Sequence, residues 1–595
     1  MLVYGDATRR EPAAQKLARL RGLLSQARAS AAGIGRHALL VDALIDAGEL
    51  VQGIADAHFL AAGKRDVQSP ETDAATALTM AVARLCARSW ETGFSAAPPS
   101  GDEGLLEELL AGCEAELPSI DLQVKQPEGY AFYALYPEGH FAAAKRLQTG
   151  LRLAQWRVIG LRSIGTSLAA MAAVALEAQS PVTLRPVGHP FDRCVSLADA
   201  SLASPAAHHA IVDEGPGLSG SSMAGVIRRL RDEGVPADRI HLFPGHSNGP
   251  GARASEETRA LWKQAAAVHV VGFDELILNA ENPAHRLRAW VEARVGPLHS
   301  PLAEITGGGW RREHGNASNE TPPAHPWQER RKFLARGNSG TWLVKFIGLG
   351  HAARQRFACA VKLAEAGLCP SVAGLCHGFM VERWHGEMAP LSPIRLQTSE
   401  LRARLIERLA GYIAFRAHSF PASQENGASL QELYEMGRHN SSEALGSELA
   451  GAWMRYQRQA ERLQARVRRV KTDNRMHAWE WLAGEGRLLK TDAVDHHAGH
   501  DLVGCQDPAW DIAGAKAELG LGADELAGLL DGLSRRGCAI DAELLGFYTP
   551  AYLAFQLGHY AMAAQDATLP AERARLDTQC ERYTRALRRH LEETA

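Results

Sequence analysis

The sequence has no excess of charge of either sign and no apolar run long enough to cross a bilayer. It holds 65 Lys and Arg against 68 Asp and Glu, a formal net charge of −3, which gives no global attraction to nucleic acid or to an anionic membrane. The longest apolar run, residues 167–176, is half of the ~20 residues that a transmembrane helix needs. The first residues also lack the apolar core of a signal peptide. We therefore expect a cytoplasmic protein that does not bind membranes and has no overall attraction to nucleic acid, although a local basic groove is compatible with this charge balance.

A CxxC pair is also missing. The nine cysteines are scattered, which is typical of reduced thiols rather than of a disulfide framework. The closest grouping is Cys369, Cys376 and His377. These side chains would suit zinc, but a fourth ligand is absent nearby and cysteine is often simply buried, so both interpretations stay open.

Length and composition indicate several folded domains. The chain has 595 residues, 46% hydrophobic and 22% charged, which excludes disordered and fibrous proteins and predicts about three to five domains. Residues 1–125 show helical spacing of apolar side chains, which predicts a helical N-terminal region. Within 126–300, short apolar runs bounded by Gly or Pro, the first at 130–137, predict strands that alternate with helices in a parallel sheet.

The remaining sequence divides at a stretch rich in Gly, Asn and Pro. Its composition predicts a linker at residues 301–329. Beyond it, residues 330–595 predict a small lobe, made of a hairpin from residue 332, a helix at 352–367 and a strand at 377–384, and then a larger helical lobe.

The segment 211–234 runs from a buried strand through two carboxylates into a small-residue loop and a helix. Asp213 and Glu214 end the strand, where carboxylates suit ribose hydroxyls or Mg²⁺. The loop offers backbone amides and hydroxyls at a helix N-terminus, which suits a phosphate. Its residues are Gly217, Ser219, Gly220, Ser221 and Ser222. The alternative is a loop that only turns a strand into a helix.

This arrangement resembles the phosphoribosyl pyrophosphate loop of type I phosphoribosyltransferases. Ser219, Gly220 and Ser222 stand at the positions of that family's Thr-Gly-x-Thr motif, in a loop one residue longer. The resemblance implies phosphoribosyl pyrophosphate as substrate and Mg²⁺ held by Asp213 and Glu214. The same two carboxylates would stabilise the cation-like sugar during displacement at the anomeric carbon.

Two further segments extend this resemblance. In the family an earlier strand-to-helix loop holds pyrophosphate, which implies that role for Arg162, Ser163, Gly165 and Thr166. The family also has a mobile hairpin between the two loops, which implies that Arg185 and His189 close over the substrate. The alternatives are a solvated arginine and a surface hairpin with incidental charges.

Lys345 lies inside an apolar strand of the second half, in a sequence where lysine is scarce. The hairpin around it, the following helix with Glu365 as an ion-pair partner, and the segments 365–370 and 380–387 resemble the small lobe of the aminoglycoside phosphotransferase and protein kinase superfamily. That resemblance implies ATP binding by Lys345. A lysine that snorkels from a sheet edge is the alternative.

Residues 506–515 resemble the Asp-Pro-Ala-x-Asp-x-Ala segment of aminoglycoside phosphotransferases, with acids at Asp507 and Asp511. The family's His-Gly-Asp is replaced by residues 490–492, which makes Asp492 the predicted catalytic aspartate and implies that Asp501 and Asp507 bind metal. The departures leave open whether this half transfers phosphate or only binds a nucleotide. A transition-metal site is a further alternative, formed by Asp492, Asp495, His496, His497, His500 and Asp501.

Together these features predict an α/β multidomain protein. It would have an N-terminal helical region, a parallel-sheet phosphoribosyltransferase-like domain and a C-terminal two-lobed kinase-like α+β domain. The leading hypothesis is a transferase that uses phosphoribosyl pyrophosphate and Mg²⁺ to form or break an N-glycosidic bond. The alternatives are a small-molecule kinase with a sugar-phosphate sensor, or a regulatory protein without chemistry. Small molecules such as sugar phosphates and nucleotides are the expected partners, and the sequence indicates neither the acceptor nor the oligomeric state.

Overall fold

The structure is a computed structural model, and it describes most of the chain. The described residues are 8–96, 100–117, 120–152, 154–198, 202–313, 322–326, 328–392, 395–484, 486–499 and 503–594. Within these ranges, no helix combines the length and the apolar character that spanning a bilayer requires. All nine cysteines are free thiols, as their scattered positions predict.

The N-terminal region is a helical bundle closed by a two-stranded antiparallel ribbon. The predicted helices are confirmed, since Leu44, Leu78 and Val82 are fully buried on their inner faces. Lys16 is also buried, with its Nζ 2.7 Å from Oε2 of Glu49, which joins the first two helices. The elements are β1 Thr8–Pro12, α1 Ala13–Ala29, α2 Ile34–Ala61, α3 Pro70–Glu91, α4 Ser100–Glu116 and β2 Asp121–Lys125.

The second region carries a five-stranded sheet in the order β4-β3-β7-β8-β9, and every strand pair in it is parallel. Residues 130–137, predicted as a strand, instead form the short helix α5 and the approach to α6, because Pro137 cannot donate to a ladder and begins α6. The elements are α5 Glu128–Phe132, α6 Pro137–Gly150, β3 Trp156–Leu161, α7 Gly165–Ala175, β4 Val182–Leu184, β5 Val187–His189, β6 Asp192–Cys194, β7 His208–Val212, α8 Ser221–Asp232, β8 Ile240–Phe243, α9 Glu256–Gln264, β9 Ala267–Val268 and α10 Leu287–Val295.

The C-terminal half begins with a five-stranded antiparallel sheet in the order β10-β11-β12-β14-β13. Its elements are β10 Ala303–Glu304, α11 Trp310–Glu313, β11 Lys332–Gly337, β12 Gly340–Phe346, α12 Gly350–Glu365, β13 Val372–Cys376 and β14 Phe379–Arg383. The predicted hairpin, helix and strand are therefore confirmed.

The segment 301–329, predicted as a linker, is part of this half where the structure describes it. β10 pairs with β11 in the sheet. The two terminal nitrogens of Arg311, on α11, donate to the two carboxylate oxygens of Glu572 near the C-terminus, at 2.9 and 2.8 Å. Composition misleads here because a two-residue strand and one helical turn need few apolar side chains.

Strand β12 separates two hydrophobic cores. Val344 and Phe346 point into a core that continues from the N-terminal helices through one face of the parallel sheet. On the other side, Ile347 and Met380 belong to the core of the helical lobe. The alternation of residues along β12 therefore turns Lys345 away from the first core and toward the helical lobe.

The helical lobe completes the chain and includes a small antiparallel sheet in the order β15-β16-β17. Its helices surround fully buried tryptophans, among them Trp453, Trp481 and Trp510. The elements are β15 Ala389–Pro390, α13 Ser399–Ser419, α14 Leu430–Leu445, α15 Ser447–Ala450, α16 Met454–Leu463, β16 Trp481–Gly484, β17 Arg487–Lys490, α17 Pro508–Leu519, α18 Ala523–Arg535, α19 Ala542–Asp566 and α20 Pro570–Thr594.

Candidate active site

An open cleft separates the small sheet from the helical lobe. Leu343 of β12 and Leu482 of β16 line it from opposite lobes, and Trp384 lines it where the chain crosses from β14 to the helical lobe. Its cationic side chains include Arg330, Lys332 and Lys345. An apolar slot beside cationic groups is complementary to a nucleobase joined to phosphates.

Lys345 lies on the floor of this cleft and is only 3% exposed. Its Nζ contacts Asp492 and lies 3.2 Å from Oδ2 of Asp495. Burial opposes the charged form, yet the carboxylates of Asp492 and Asp495 raise the pKa of Lys345 above its ordinary value. The ammonium is therefore charged at neutral pH and is placed to neutralise a phosphate.

His496 lies between two sets of carboxylates. One set is Asp492 and Asp495, and the other is Asp473 and Glu480. In each set, one carboxylate oxygen from each acid and one ring nitrogen of His496 all lie within 4.8 Å of one another. Burial and Arg475 oppose protonation, but hydrogen bonds to Asp473 and Asp492 raise the pKa of His496 to about 9. Carboxylates are the ligands that Mg²⁺ prefers, so the donor set at Asp492 and Asp495 fits that ion.

The loop at residues 472–475 is held by Asp511 of α17. The backbone amides of Asp473 and Asn474 each donate to the Asp511 carboxylate at 2.9 Å. The Asp473 side chain is buried and accepts from the Tyr412 hydroxyl, and its Oδ2 lies 3.2 Å from Nζ of Lys490. Asp511 therefore fixes the backbone that presents Asp473 beside His496.

One predicted metal ligand, Asp507, does not join this site. Asp507 caps α17, because its carboxylate accepts from the amides of Ala509 and Arg468 at 3.0 Å each. It is 1% exposed and does not line the cleft. Asp501 and His500 lie outside the described residues. Of the predicted transition-metal group, the structure brings together Asp492, Asp495 and His496.

The expected ion pair between Lys345 and Glu365 is wrong. Glu365 is the last residue of α12 and is exposed. The buried charge on α12 is instead Arg356, whose guanidinium donates to the carbonyl oxygen of Ile347 at 2.6 Å. The partners of Lys345 are Asp492 and Asp495, which lie about 150 positions away in the sequence. No local sequence pattern could indicate this pairing.

A second cluster of acids lies at the carboxyl end of β7, where Asp213 and Glu214 follow the strand. Burial raises the pKa of Asp213 to about 6. Burial and the Glu128 carboxylate raise the pKa of Glu214 to about 8, although the Gly129 amide hydrogen bond opposes this. Parallel strands place ligands at this edge of a sheet, so the two carboxylates occupy the predicted position.

The two arginines predicted to bind the substrate have other partners. Arg162 Nε donates to Asp56 at 2.9 Å, and another nitrogen of the same guanidinium contacts Asp66. Arg185 Nε also donates to Asp56, at 2.9 Å. Both acids belong to the N-terminal helical region, so these guanidiniums join that region to the sheet and do not match the predicted role of a phosphate clamp.

The small-residue loop is closed by the β5–β6 hairpin. The hydroxyls of Ser219 and Ser221 donate to the carbonyl oxygen of Pro190, at 3.1 and 2.8 Å, which takes up two predicted phosphate donors. Gly220 has φ 64° before α8, and Gly217 has φ 58° in the turn.

The other predicted residues are placed as follows: Ser163 before α7, Gly165 and Thr166 in the first turn of α7, Ser222 in the first turn of α8, and His189 exposed on the hairpin.

No family model and no curated protein matches this chain. Among solved structures, it is similar to choline kinase LicA from Streptococcus pneumoniae, with 15% identity over 44% of this chain and 89% of that chain and a TM-score of 0.32. A choline/ethanolamine kinase family protein from Mesorhizobium loti has 16% identity over 51% and 97%, with a TM-score of 0.31. Spectinomycin phosphotransferase, solved with ADP and spectinomycin, has 11% identity over 52% and 97%, with a TM-score of 0.34. At these values the function has to be argued from the site itself.

The sequence interpretation missed several residues of the cleft. Asp473 follows Lys471 and Thr472, the same triplet that ends at Asp492. The repeated Lys-Thr-Asp triplet lies before and after the β16–β17 hairpin, and it was the sequence signal that could have identified Asp473. Arg330 and Glu382 also line the cleft, but nothing in the local sequence distinguishes them from ordinary surface charges.

Proposed function

We propose that the cleft binds a nucleotide and transfers a phosphoryl group to a small molecule. The observation that carries this proposal is the buried Lys345, held by Asp492 and Asp495 at the base of a cleft with apolar walls. This was the alternative hypothesis from the sequence. The phosphoribosyltransferase hypothesis is less well supported, because Arg162 and Arg185 are engaged by Asp56 and Asp66.

Phosphoryl transfer needs positioning and charge neutralisation more than covalent help from the protein. Lys345 would bind the phosphate oxygens, while Leu343 and Leu482 would enclose the base. Asp492 and Asp495 would hold Mg²⁺, which neutralises charge on the phosphates. Asp511 keeps the loop of Asp473 in place through the two amide hydrogen bonds.

Nucleotide binding tests the cleft directly. We expect ATP and GTP titrations with Mg²⁺ to show saturable binding of at least one nucleotide, and Leu343→Glu to weaken it at least tenfold. The substitution places a negative charge beside the phosphates and removes part of the apolar wall. Isothermal titration calorimetry measures both effects.

Leu60→Glu is the matched control, because Leu60 is 58% exposed at the end of α2 and does not line the cleft. Its nucleotide affinity should equal that of the unaltered chain. The proposal is wrong if neither nucleotide binds the intact chain, or if Leu343→Glu binds as well as Leu60→Glu.

A second candidate function is sugar-phosphate binding at Asp213 and Glu214, favoured by the raised pKa of both carboxyls at the carboxyl edge of the parallel sheet. The chain would then be a kinase that also senses a sugar phosphate, or an enzyme that forms an N-glycosidic bond at this loop. Phosphoribosyl pyrophosphate with Mg²⁺ is the appropriate probe.

The pH dependence of this binding is predictable. Because the pKa of Glu214 is raised to about 8, the carboxyl is mostly protonated at neutral pH and must lose its proton before it can ligate Mg²⁺. Affinity for phosphoribosyl pyrophosphate with Mg²⁺ should therefore rise about 25-fold between pH 6.5 and 8.5. In the Asp213→Asn, Glu214→Gln double variant this rise should disappear. A pH-independent affinity in the intact chain would remove this candidate.

A further inference from the structure

Three residues from distant parts of the chain meet in the first hydrophobic core. His37 lies on α2, Glu138 on α6, and His377 in the turn between β13 and β14. His37 and Glu138 are fully buried and His377 is 3% exposed. The cluster joins the N-terminal helices, the region of the parallel sheet and the small antiparallel sheet, and it is separate from the cleft and from the acidic loop.

The two imidazoles converge on a single carboxylate oxygen. Nε2 of His37 lies 2.7 Å from Oε1 of Glu138, and Nε2 of His377 lies 2.8 Å from the same atom. One ligand atom from each residue lies within 4.8 Å of the others. Two imidazoles and a carboxylate are a ligand set that suits zinc and related divalent ions.

Glu138 has a second carboxylate oxygen whose environment is unusual. Oε2 is buried and has no hydrogen-bond partner, a costly state for a carboxylate in a protein core. A cation beside Oε1 would also lie beside Oε2. Bidentate coordination by Glu138, together with the two imidazoles, gives four ligand atoms, the number that zinc takes in closed structural sites.

Hydrogen bonds from the surroundings hold the ring of His37 and the backbone of His377. The other ring nitrogen of His37, Nδ1, lies 3.0 Å from the Ser89 hydroxyl, and the Tyr136 hydroxyl donates to the backbone carbonyl of His377 at 2.7 Å. A ring partner such as Ser89 orients a metal-binding histidine. The neighbouring rings are Trp90, Phe94, Tyr136 and Trp290, so the cluster is enclosed by aromatic side chains.

We propose that His37, Glu138 and His377 bind a structural Zn²⁺ ion that joins the three parts of the first core. Because the cluster is buried, the ion enters as the chain folds, and it does not exchange readily afterwards. His37 and Glu138 are fully buried and His377 is 3% exposed, so the role of the site is structural.

The test is the metal content of the full-length chain produced with zinc in the medium and dialysed against EDTA. We expect about one zinc per chain by elemental analysis, and production in cobalt medium should give the visible absorption bands of tetrahedral Co²⁺. His37→Gln should lose the zinc and the bands. His285→Gln is the matched control, because His285 is also buried and stacks on Trp90 but is not one of the three proposed ligands.

An intact chain without zinc after this procedure would overturn the proposal, as would equal zinc in His37→Gln and the intact chain. Asp492→Asn separates this site from the cleft, since its zinc content should equal that of the intact chain. If His37→Gln fails to fold, refolding the unfolded intact chain with and without Zn²⁺ gives the answer. Recovery should be higher with zinc, and equal recovery contradicts the proposal.

Discussion

Lys345→Met should reduce phosphoryl transfer to between a hundredth and a thousandth of the rate of the intact chain. The ammonium is the charged group at the base of the cleft that lies closest to Asp492 and Asp495. Loss of one preorganised group that neutralises developing charge costs ~10²–10³ in rate. Phosphate release from the bound nucleotide, with water and then a panel of alcohols and amines as acceptors, measures the effect.

Two further variants separate chemistry from folding. Lys263→Met removes an exposed lysine on α9 and should leave the rate unchanged. Lys345→Met also removes the closest buried cation from Asp492 and Asp495, so the pair Lys345→Met, Asp495→Asn should recover stability without recovering activity. Turnover by Lys345→Met equal to that of Lys263→Met would refute the assignment of the cleft.

Lys490→Met is expected to lower the free energy of unfolding by ~3–5 kcal/mol, the cost of leaving buried charges without a partner. Lys490 is fully buried, with its Nζ 2.8 Å from Oε2 of Glu480 and 3.2 Å from Oδ2 of Asp473. Both carboxylates would stay in the interior without their closest cation, and Asp473 would keep only His496 at 3.5 Å and Arg416 at 4.0 Å. Urea unfolding, followed by tryptophan fluorescence, measures the change.

Replacing Lys490 and its two carboxylate partners with uncharged residues distinguishes the loss of charge pairing from a simple packing defect. Adding Asp473→Asn and Glu480→Gln to Lys490→Met should restore most of the lost stability, because neither partner of Lys490 then carries a buried charge. Lys362→Met on the exposed side of α12 is the control and should change stability by less than ~0.5 kcal/mol. If the triple variant is no more stable than Lys490→Met, charge burial is not the cause.

Local patterns predicted the parts of this fold whose determinants are close in sequence. Alternation along β12 identified Lys345 as a lysine in an apolar strand, and the cleft gives the reason. The strand, loop and helix from residue 208 to 232 were also recognised, because periodicity and Gly punctuation are local signals.

The incorrect predictions share a different physical origin. Arg162 was expected to bind pyrophosphate, but its partners Asp56 and Asp66 lie about a hundred positions earlier, on a region with no chemical motif. Asp507 was expected to bind metal, although an aspartate before Pro-Ala is also a helix cap, and here it is one. Partners brought together by tertiary structure leave no trace in the local sequence.

The order of protein synthesis bears on the first core, to which β12 and β14 contribute Phe346 and Val381. Translation proceeds at ~5–20 residues per second. Tens of seconds therefore pass between the synthesis of α2 and α3 and the emergence of Phe346 and Val381 from the ribosome. During that interval the nascent chain exposes an uncovered hydrophobic surface, which a chaperone would have to shield. For the same reason, an expression plasmid that starts at residue 330 would leave one side of β12 bare, and its product should aggregate.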